Sequence, residues 1–260
     1  MNQSLQKTAR ILDILMDSKV PVGVNEFARL LGMPKSTVSR FMSTMESLGM
    51  VRRDPENGRF FLGLRLFELG CKAIEDLGLR KAAPPLMGAL RDRINENVLL
   101  TVLEDIHITY LDKSESRQAI IAQIHVGGTA PAYCVSSGKA MLAYHPDRLE
   151  KVIAQGLHPY TPLTITDPER LRRECAKVRE QGYAVNKGEF REGVTGIAAP
   201  IFNAAGTVVG ALSTSTPAAR MNKQTWHEHA QAVVETACAI SRRLGASMPL
   251  EAANAHHLPG

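Results

Sequence analysis

Residues 21–48, PVGVNEFARLLGMPKSTVSRFMSTMESL, constrain the fold more than any other stretch of this chain. Apolar residues recur at helical spacing in residues 27–31, and Gly32 follows where a left-handed residue can end a helix. Pro34 suits the start of a second helix, because the first helical N–H groups have no partner to lose. The apolar residues of that helix fall on one face: Val38, Phe41, Met42, Met45 and Leu48. The pattern predicts a helix-turn-helix, although such helix pairs also occur in domains that bind nothing.

The polar side of the second helix and the residues after it favour DNA binding. Its first turns and outer surface carry Lys35, Ser36, Thr37, Ser39 and Arg40. Two strand-like runs follow, at residues 50–53 and 59–62, and the Asn57-Gly58 pair between them is a strong hairpin signal. This hairpin carries three arginines: Arg52, Arg53 and Arg59. We predict a winged helix-turn-helix in residues 1–63, with these eight residues in contact with operator DNA.

Charge and length support a two-domain chain with one basic end. Residues 1–65 hold ten Lys and Arg against six Asp and Glu, whereas the other 195 residues hold 21 against 20. A basic N-terminal module suits a phosphate backbone, and 260 residues suffice for a second domain with its own core. A first helix, packed behind the helix-turn-helix, is predicted from the stripe Leu5, Ala9, Leu12 and Leu15.

A linker helix is predicted within residues 64–80, between the two domains. Its apolar residues share one face, which must be buried against its own chain or against a second copy: Leu66, Leu69, Ala73 and Leu77. We favour a second copy, because DNA readers of this class usually need two-fold symmetry to match two half-sites. The expected assembly is a homodimer or a dimer of dimers.

Residues 81–245 predict an α+β domain in which helices cover an antiparallel sheet. Strands are expected at residues 98–103, 106–111, 119–126, 183–186, 195–202 and 207–216. Helices are expected at residues 84–96, from Ser136, after Pro146, at 167–181 with Asp167 as its cap, and at 222–244. The last residues, 246–260, are polar and contain proline, so a disordered tail is expected there.

Several other classes of protein are excluded by the sequence. Its four cysteines are far apart and form no Cys-x-x-Cys pair, so neither a zinc site nor a disulfide framework is expected. The first helix carries charges among its apolar residues, unlike a secretion signal. No run approaches the roughly 18 apolar residues that cross a bilayer. We expect a cytoplasmic protein with no metal, no cofactor and no membrane contact.

A ligand site is predicted where a loop turns into a helix at residues 133–140, YCVSSGKA. Free backbone N–H groups at a helix start bind anions, and small residues let a ligand approach closely. In the strand at 207–216, alternation places Ser213 and Ser215 on one inward face, where a bound carboxylate or hydroxyl could partner them. The alternative is that both hydroxyls bond to neighbouring backbone in a packed core.

An enzyme is the rival interpretation. Ser136 and Lys139 match the Ser-x-x-Lys pattern of serine acyl enzymes, in which the lysine would activate the serine. The companion Ser-Asp-Asn and Lys-Thr-Gly elements are missing from the sequence. The segment also fails as a phosphate-binding loop, because Ala140 follows the lysine. We therefore expect no catalytic residues.

The order of the motifs resembles that of the IclR-type transcriptional regulators. The matching segments, within residues 3–245, are LLGMPKSTVSRFMSTMESLGMVRRD, SSGKAMLA, EQGYAVNKGEFREGVTGIAAPIF and VGALSTSTP. The resemblance implies dimers or tetramers that bind operator DNA and sense a small metabolite, often an organic or aromatic acid, in a GAF-like C-terminal domain. The effector contacts that it implies are Ser136, Ser137, Gly138, Asn186, Gly196, Ser213 and Ser215, with Tyr133, Glu189 and Arg191 as nearby candidates for specificity.

Two positions depart from the pattern of that family. Asn186 stands where some members have an acidic residue, and Gly196 stands where some have a thiol. The resemblance therefore implies a less acidic and roomier pocket. The predicted function is a DNA-binding transcriptional regulator whose binding to double-stranded operator DNA responds to a small organic or aromatic acid. We expect this effector to be a carboxylate.

Overall fold

A computed structural model describes residues 3–75, 78–119 and 124–247, without the side chains of residues 71 and 73–75. The chain divides into two compact units, Met1–Asp76 and Leu77–Gly260. Most of the predicted linker helix belongs to the first unit by its contacts. The division of the chain into a DNA-binding domain at 1–63, a linker at 64–80 and an effector domain at 81–245 stays a prediction. Most of the predicted tail lies outside the described residues.

The first unit has the element order of a winged helix-turn-helix. Its elements are α1 (Gln3–Asp17), α2 (Val24–Leu31), α3 (Lys35–Ser47), β1 (Val51–Arg53), β2 (Phe60–Leu62) and α4 (Leu64–Glu75). Gly32 ends α2 with a φ of +62°, as its position predicts. β1 and β2 pair in antiparallel fashion, and the Asp54 carboxylate closes their turn by accepting bonds from Glu56 N–H and Asn57 Nδ2. The predicted helix-turn-helix is confirmed.

The core of this unit is formed by one face each of α1, α2 and α3 together with the wing. Its buried residues include Ile11, Leu15, Phe27, Val38, Met42, Met45 and Phe60. The predicted face of α1 is wrong at its N-terminal end, since Leu5 is 69% exposed while Ile11 is fully buried. Only the second half of α1 packs against its neighbours, and the spacing of apolar residues along a single helix does not show where such packing begins.

α4 presents apolar side chains that its own unit leaves uncovered. Leu64, Phe67 and Leu69 are 76%, 66% and 46% exposed. Of the predicted face, Leu69 is exposed and Leu66 is half-buried, whereas Leu64 and Phe67 lie beside that face. Ala73 of that face has a side chain outside the described set, and Leu77 lies outside the described residues.

The second unit is built on an antiparallel sheet. Its helices are α5 (Leu79–Ala82), α6 (Pro84–Ile94), α7 (Ser136–Leu142), α8 (Pro146–Gln155), α9 (Pro168–Gln181) and α10 (Lys223–Arg243). Its strands are β3 (Asn97–Glu104), β4 (His107–Ser114), β5 (Thr129–Pro131), β6 (Ala184–Lys187), β7 (Val194–Phe202) and β8 (Val208–Pro217). Among the described residues the strand order is β5-β4-β3-β8-β7-β6, with every pair antiparallel. The predicted α+β class is confirmed.

Helices cover both faces of this sheet. α6 and α10 pack together against β3, β7 and β8, whereas α7 packs against β6, β7 and β8 with α8 and α9 behind it. The central strand β8 is consequently buried over most of its length. Successive β8 residues face opposite helix layers, so Ser213 and Ser215 share the α7 side.

Most predicted elements of this unit agree with the structure, including the Asp167 side chain that caps α9. The strand predicted at residues 119–126 is wrong at its described ends, and residues 120–123 lie outside the described residues. The strand that pairs with β4 on the side away from β3 is β5, after the Gly127-Gly128 turn. The apolar residues before the glycine turn suggested a strand there, but the sequence did not show that the residues after the turn would pair with β4 instead. In the part of the chain that the structure describes, no helix is long and apolar enough to cross a membrane.

His229, on α10, makes the stability of the second unit depend on pH. Its side chain is buried, and its Nδ1 atom has no hydrogen-bond partner among the described residues. Burial lowers the pKa of His229, while the charges of Glu96 and Glu228 oppose that shift. The folded chain therefore binds this proton more weakly than the unfolded chain does. Its contribution to stability is complete above the unfolded pKa of about 6.5 and declines as the pH falls below it.

We expect the free energy of unfolding to fall between pH 7.5 and pH 5.5 because of this histidine. In the His229→Leu variant, which carries no titrating group at this position, the fall should be smaller. Urea unfolding at the two pH values measures the difference. Equal pH dependence in the two proteins would show that His229 does not titrate differently on folding.

Candidate functional site

The exposed side of α3 carries most of the predicted DNA contacts. Lys35, Ser36, Ser39 and Arg40 are exposed, while Thr37 is half-buried. The opposite side of the helix is held in the core by Val38, Met42 and Met45. Among the described residues, no side chain caps the N-terminus of α3, where Pro34 precedes the first turn. Thr37 and Val38 donate their backbone N–H groups to Pro34 O, which leaves those of Lys35 and Ser36 for a ligand such as a phosphate.

Two wing arginines are exposed on the hairpin. The Arg52 guanidinium lies 4.4 Å from the centre of the Phe61 ring, and that of Arg53 lies 5.7 Å from the Phe60 ring. Arg53 Nε also donates to Gly58 O over 3.2 Å. These contacts hold both side chains beside the hairpin while leaving their charges in solvent.

Arg59 differs from the other two arginines. Its Nε donates to Pro21 O over 2.7 Å, and its Nη2 lies 2.8 Å from Glu26 Oε2. The guanidinium therefore ties the wing to the start of α2. The prediction that Arg59 contacts DNA stays untested, and the structure gives this side chain a bracing contact within the protein.

The second unit contains a cavity of about 150 Å³ where β7 and β8 meet the start of α7. Six of the predicted effector residues line it: Ser136, Ser137, Asn186, Gly196, Ser213 and Ser215. Ser213 and Ser215 are buried and face this cavity. The sheet thus brings together residues that are up to 79 positions apart in the sequence, and the serines do not face a solid core.

Gly196 allows Ser136 to approach the sheet. A Cβ atom on Gly196 would lie 2.8 Å from Ser136 Oγ and 2.9 Å from Thr214 O. Real Cβ atoms do not come so close, so a larger residue would displace Ser136 or the strand. The space expected from this glycine is therefore taken up partly by Ser136.

Asn186 joins the cavity to the loop that follows β6. Its Oδ1 accepts a bond of 2.8 Å from Glu189 N–H. The amide nitrogen is the part of Asn186 that remains able to donate to a ligand. The next residue, Lys187, places its Nζ 4.9 Å from the ring of Trp226, which is the chain's single tryptophan.

Tyr133 and Gly138 are not brought to the cavity. The Tyr133 hydroxyl donates to His158 O over 2.7 Å, and its ring lies 6.3 Å from that of Tyr160. A Cβ atom on Gly138 would lie 2.0 Å from Ala132 O. Both positions were predicted to contact the effector because they belong to the loop-to-helix motif. Tyr133 instead bonds to His158 and Gly138 packs against the Ala132 backbone, and the motif alone does not show these contacts.

Lys139 forms a buried ion pair with Glu189. It is fully buried, and its Nζ lies 2.7 and 2.9 Å from the two carboxylate oxygens of Glu189 and 3.6 Å from Glu174 Oε1. Burial raises the pKa of Glu189, and Lys139 opposes this shift by stabilising the carboxylate. The amino group of Lys139 is thus engaged by two carboxylates, which give it partners other than Ser136. Glu189 itself lies behind the cavity wall and is not one of its lining residues.

The remaining lining combines apolar or aromatic residues with polar ones. The apolar or aromatic residues are Leu99, Tyr110, Ile124, Val135, Phe190 and Val194, and the others are His125, Gly128, Thr129, Arg191, Thr195 and Thr214. Arg191 was predicted as a specificity candidate, and its guanidinium lies 5.6 Å from the Phe190 ring. Leu99 could have been found from strand alternation, because its register partner on β8 is Ser213.

Metal and thiol chemistry find no support at this site. Among residues 3–75, 78–119 and 124–247, no group of three or more His, Cys, Asp or Glu could hold a metal ion. Burial raises the pKa of Cys134 to about 12 and that of Cys175 to about 11, so both thiols stay protonated at neutral pH.

A winged helix-turn-helix joined to an α+β domain with a polar cavity defines a ligand-responsive DNA-binding regulator. The family model described as bacterial transcriptional regulator IclR C-terminal matches residues 71–242, and that of the IclR helix-turn-helix domain matches residues 4–55. The chain belongs to the IclR family of transcriptional regulators. Its first unit is the DNA-binding domain of such a regulator, and its second unit is the ligand-binding domain.

Individual relatives match almost the whole chain. The Escherichia coli regulator KdgR is 33% identical over 93% of this chain and 92% of its own length, and the E. coli regulator XynR is 28% identical over 94% and 97%. An IclR homologue from Microbacterium hydrocarbonoxydans, solved in complex with 4-hydroxybenzoate, is 30% identical with a TM-score of 0.83, covering 93% of this chain and 99% of its own. The Thermotoga maritima IclR structure is 31% identical with a TM-score of 0.76, over 93% and 98%.

Proposed function

We propose that this chain is an effector-responsive regulator in which the cavity binds a small organic or aromatic carboxylate and thereby changes operator affinity. The observation that carries the proposal is the convergence of Ser136, Ser137, Asn186, Ser213 and Ser215 on one cavity. Four hydroxyls and an amide, together with apolar and aromatic side chains in the same lining, suit a ligand that has a polar end and an apolar body.

The size and charge of the cavity favour a small acid. A cavity of about 150 Å³ is large enough for one aromatic ring, since an apolar protein cavity of about that volume binds benzene. Arg191, an exposed residue that also lines the cavity, supplies a positive charge at its rim. The Microbacterium relative, solved with 4-hydroxybenzoate, suggests that acid as a first probe.

At the DNA, we assign the two parts of the first unit different contacts. The exposed residues of α3, Lys35, Ser36, Ser39 and Arg40, would meet base edges and phosphates in the major groove, with Thr37 beside them. Arg52 and Arg53 would meet the backbone or the minor groove from the wing. Contacts with phosphate would make the affinity depend on salt, whereas contacts with bases would set the sequence preference.

The apolar side chains of α4 support assembly as a homodimer or a dimer of dimers. Leu64, Phe67 and Leu69 are largely exposed in the described part of the first unit, and burying them against a second copy would remove them from water. A two-fold axis would also present two α3 helices to two operator half-sites. A regulator of this kind acts where the DNA is, so we propose a cytoplasmic location.

Ligand binding would alter DNA binding by a shift between two arrangements of the dimer. A ligand changes such an equilibrium only through a difference in its affinity for the two states. The serine acyl hydrolase alternative is not favoured, because Lys139 is paired with Glu189 and the relatives are transcriptional regulators.

The ligand proposal is tested by isothermal titration calorimetry with 4-hydroxybenzoate, benzoate and short aliphatic acids. We expect at least one of these acids to bind the wild-type chain, and Arg191→Gln to weaken that binding by about tenfold, or about 1.4 kcal/mol. Arg173→Ala, which removes an exposed arginine elsewhere in the same unit, should leave binding unchanged. Binding that is equally strong in Arg191→Gln would remove Arg191 from the site, and no binding of any acid would overturn the ligand class.

A further inference from the structure

We propose that Lys139 is a positioning residue of the effector site: its ion pair with Glu189 holds two walls of the cavity together, and effector affinity depends on that pair. The inference rests on the proposed effector site and assigns it a residue that contacts no ligand. Lys139 lies on α7, whereas Glu189 lies 50 positions later, in the loop after β6. The pair therefore joins two separate elements.

The Lys139–Glu189 ion pair is buried and has two short contacts. Lys139 Nζ contacts both oxygens of Glu189, at 2.7 and 2.9 Å, and is fully removed from solvent. The Glu189 side chain is 10% exposed, and Glu174, at 3.6 Å, adds a second negative charge. Removing one partner of a buried pair leaves an uncompensated charge, which is far more costly than losing an exposed pair. Separating the loop that carries Glu189 from α7 is therefore energetically costly.

Hydrogen bonds also hold the rest of the loop between β6 and β7 in place. Glu189 N–H donates to Asn186 Oδ1 at 2.8 Å, and Glu189 O accepts from Thr164 Oγ1 at 2.6 Å. The hydroxyl of Thr161 donates to Gly188 O at 2.8 Å. Gly188 N–H in turn donates to Val194 O at 2.9 Å. The loop is thus fixed from Asn186 to Val194, and both of these end residues line the cavity.

The two anchored elements carry different parts of the ligand site. α7 begins with Ser136 and Ser137, one turn before Lys139. The loop continues from Glu189 directly into Phe190 and Arg191. All four of these neighbours line the cavity, while Lys139 and Glu189 do not. Moving Glu189 away from Lys139 would therefore move the aromatic and cationic wall away from the hydroxyl wall.

A second contact supports the same loop and should keep the fold intact without the pair. The Phe190 ring packs edge-on against Tyr160, at 5.1 Å between ring centres, and Tyr160 neighbours Tyr133. Tyr133 thus acts on the cavity wall indirectly. These aromatic contacts stay available when the ion pair is replaced by apolar residues.

The test compares the full-length wild type with the double variant Lys139→Met/Glu189→Leu and the single variant Glu189→Gln. The double variant replaces both charges by apolar side chains of similar size, a change that folded proteins commonly tolerate. Arg172→Met is the control, because it breaks an ion pair with Glu150 in the same unit whose side chains are 35% and 56% exposed, in contrast to the buried pair. Three quantities are measured: amide hydrogen exchange in residues 187–194, affinity for 4-hydroxybenzoate, and operator affinity without ligand.

In both test variants we expect exchange in residues 187–194 to accelerate tenfold or more and 4-hydroxybenzoate affinity to fall about tenfold. Operator affinity without ligand should stay within twofold of the wild type, and Arg172→Met should change none of the three quantities. Unchanged exchange in this loop would overturn the proposal, as would accelerated exchange spread evenly over the second unit. If the wild type does not bind 4-hydroxybenzoate, the proposed ligand fails, while the exchange measurement still decides whether the pair holds the loop.

Discussion

Gly138→Ala is expected to destabilise the second unit by about 3 kcal/mol or more. The added Cβ would lie 2.0 Å from Ala132 O and 2.5 Å from Ala132 C, which are backbone atoms and cannot turn aside as a side chain can. α7 or the short 3-10 helix before it, Ala132–Cys134, must move. Ser136 and Ser137 begin α7, so ligand affinity should fall with stability. Urea unfolding of the full-length protein measures the free energy change.

Gly88→Ala is a matched control, since Gly88 also lies within a helix, α6, and a Cβ there would meet nothing within 4 Å. Alanine is the better helix former, so this variant should gain about 0.5–1 kcal/mol. If Gly138→Ala is as stable as Gly88→Ala, the close approach of α7 to Ala132 is not a constraint on this fold. A difference of the expected size would make Gly138 a packing residue, although the motif predicts a ligand contact.

Arg40→Ala is expected to weaken operator binding by about tenfold or more, because a single arginine contact with base or phosphate contributes roughly 1–3 kcal/mol. Arg40 is exposed on α3, beside Val38 and Met42, which fix the helix in the core. Removing its guanidinium leaves that apolar face intact, so the thermal stability should change little. Fluorescence anisotropy with a duplex that the wild type selects from a random pool measures the affinity.

The salt dependence separates two roles for Arg40. A lost phosphate contact should reduce the slope of log affinity against log salt by about one, whereas a lost base contact should relax the preference for one base pair. Arg173→Ala provides the same loss of charge in the second unit, and its operator affinity should equal that of the wild type. Equal affinities for Arg40→Ala and Arg173→Ala would falsify the placement of Arg40 at the DNA.

Local signals account for most of the fold that could be predicted from the sequence. Gly32 ends α2, Asn57-Gly58 turns the wing, and Asp167 caps α9, because each choice depends on a few neighbouring residues. The exposed Leu5 shows the limit of the same reasoning. A stripe of apolar residues identifies a helix, but the length over which that helix is covered depends on elements elsewhere in the chain.

The ligand cavity could be predicted only in part, for a related reason. Strand alternation correctly put Ser213 and Ser215 on one face, and the motif put Ser136 near them. The Lys139–Glu189 pair joins residues 50 positions apart, and no periodicity within either segment indicates it. Gly138 lies one position before Lys139 and yet faces the Ala132 backbone. Neighbouring residues of a helix point in different directions, so a short motif cannot assign every member to one site.

Trp226 is an intrinsic fluorescent probe that lies next to Lys187, at the end of β6. As the only tryptophan in the chain, it is the sole source of indole fluorescence. The Lys187 ammonium lies 4.9 Å from its ring, one residue beyond Asn186 and two before Glu189. A nearby positive charge shifts the emission of an indole when it moves. We therefore expect the wavelength of the protein's own ultraviolet emission to change when Lys187, at the end of β6, moves relative to Trp226.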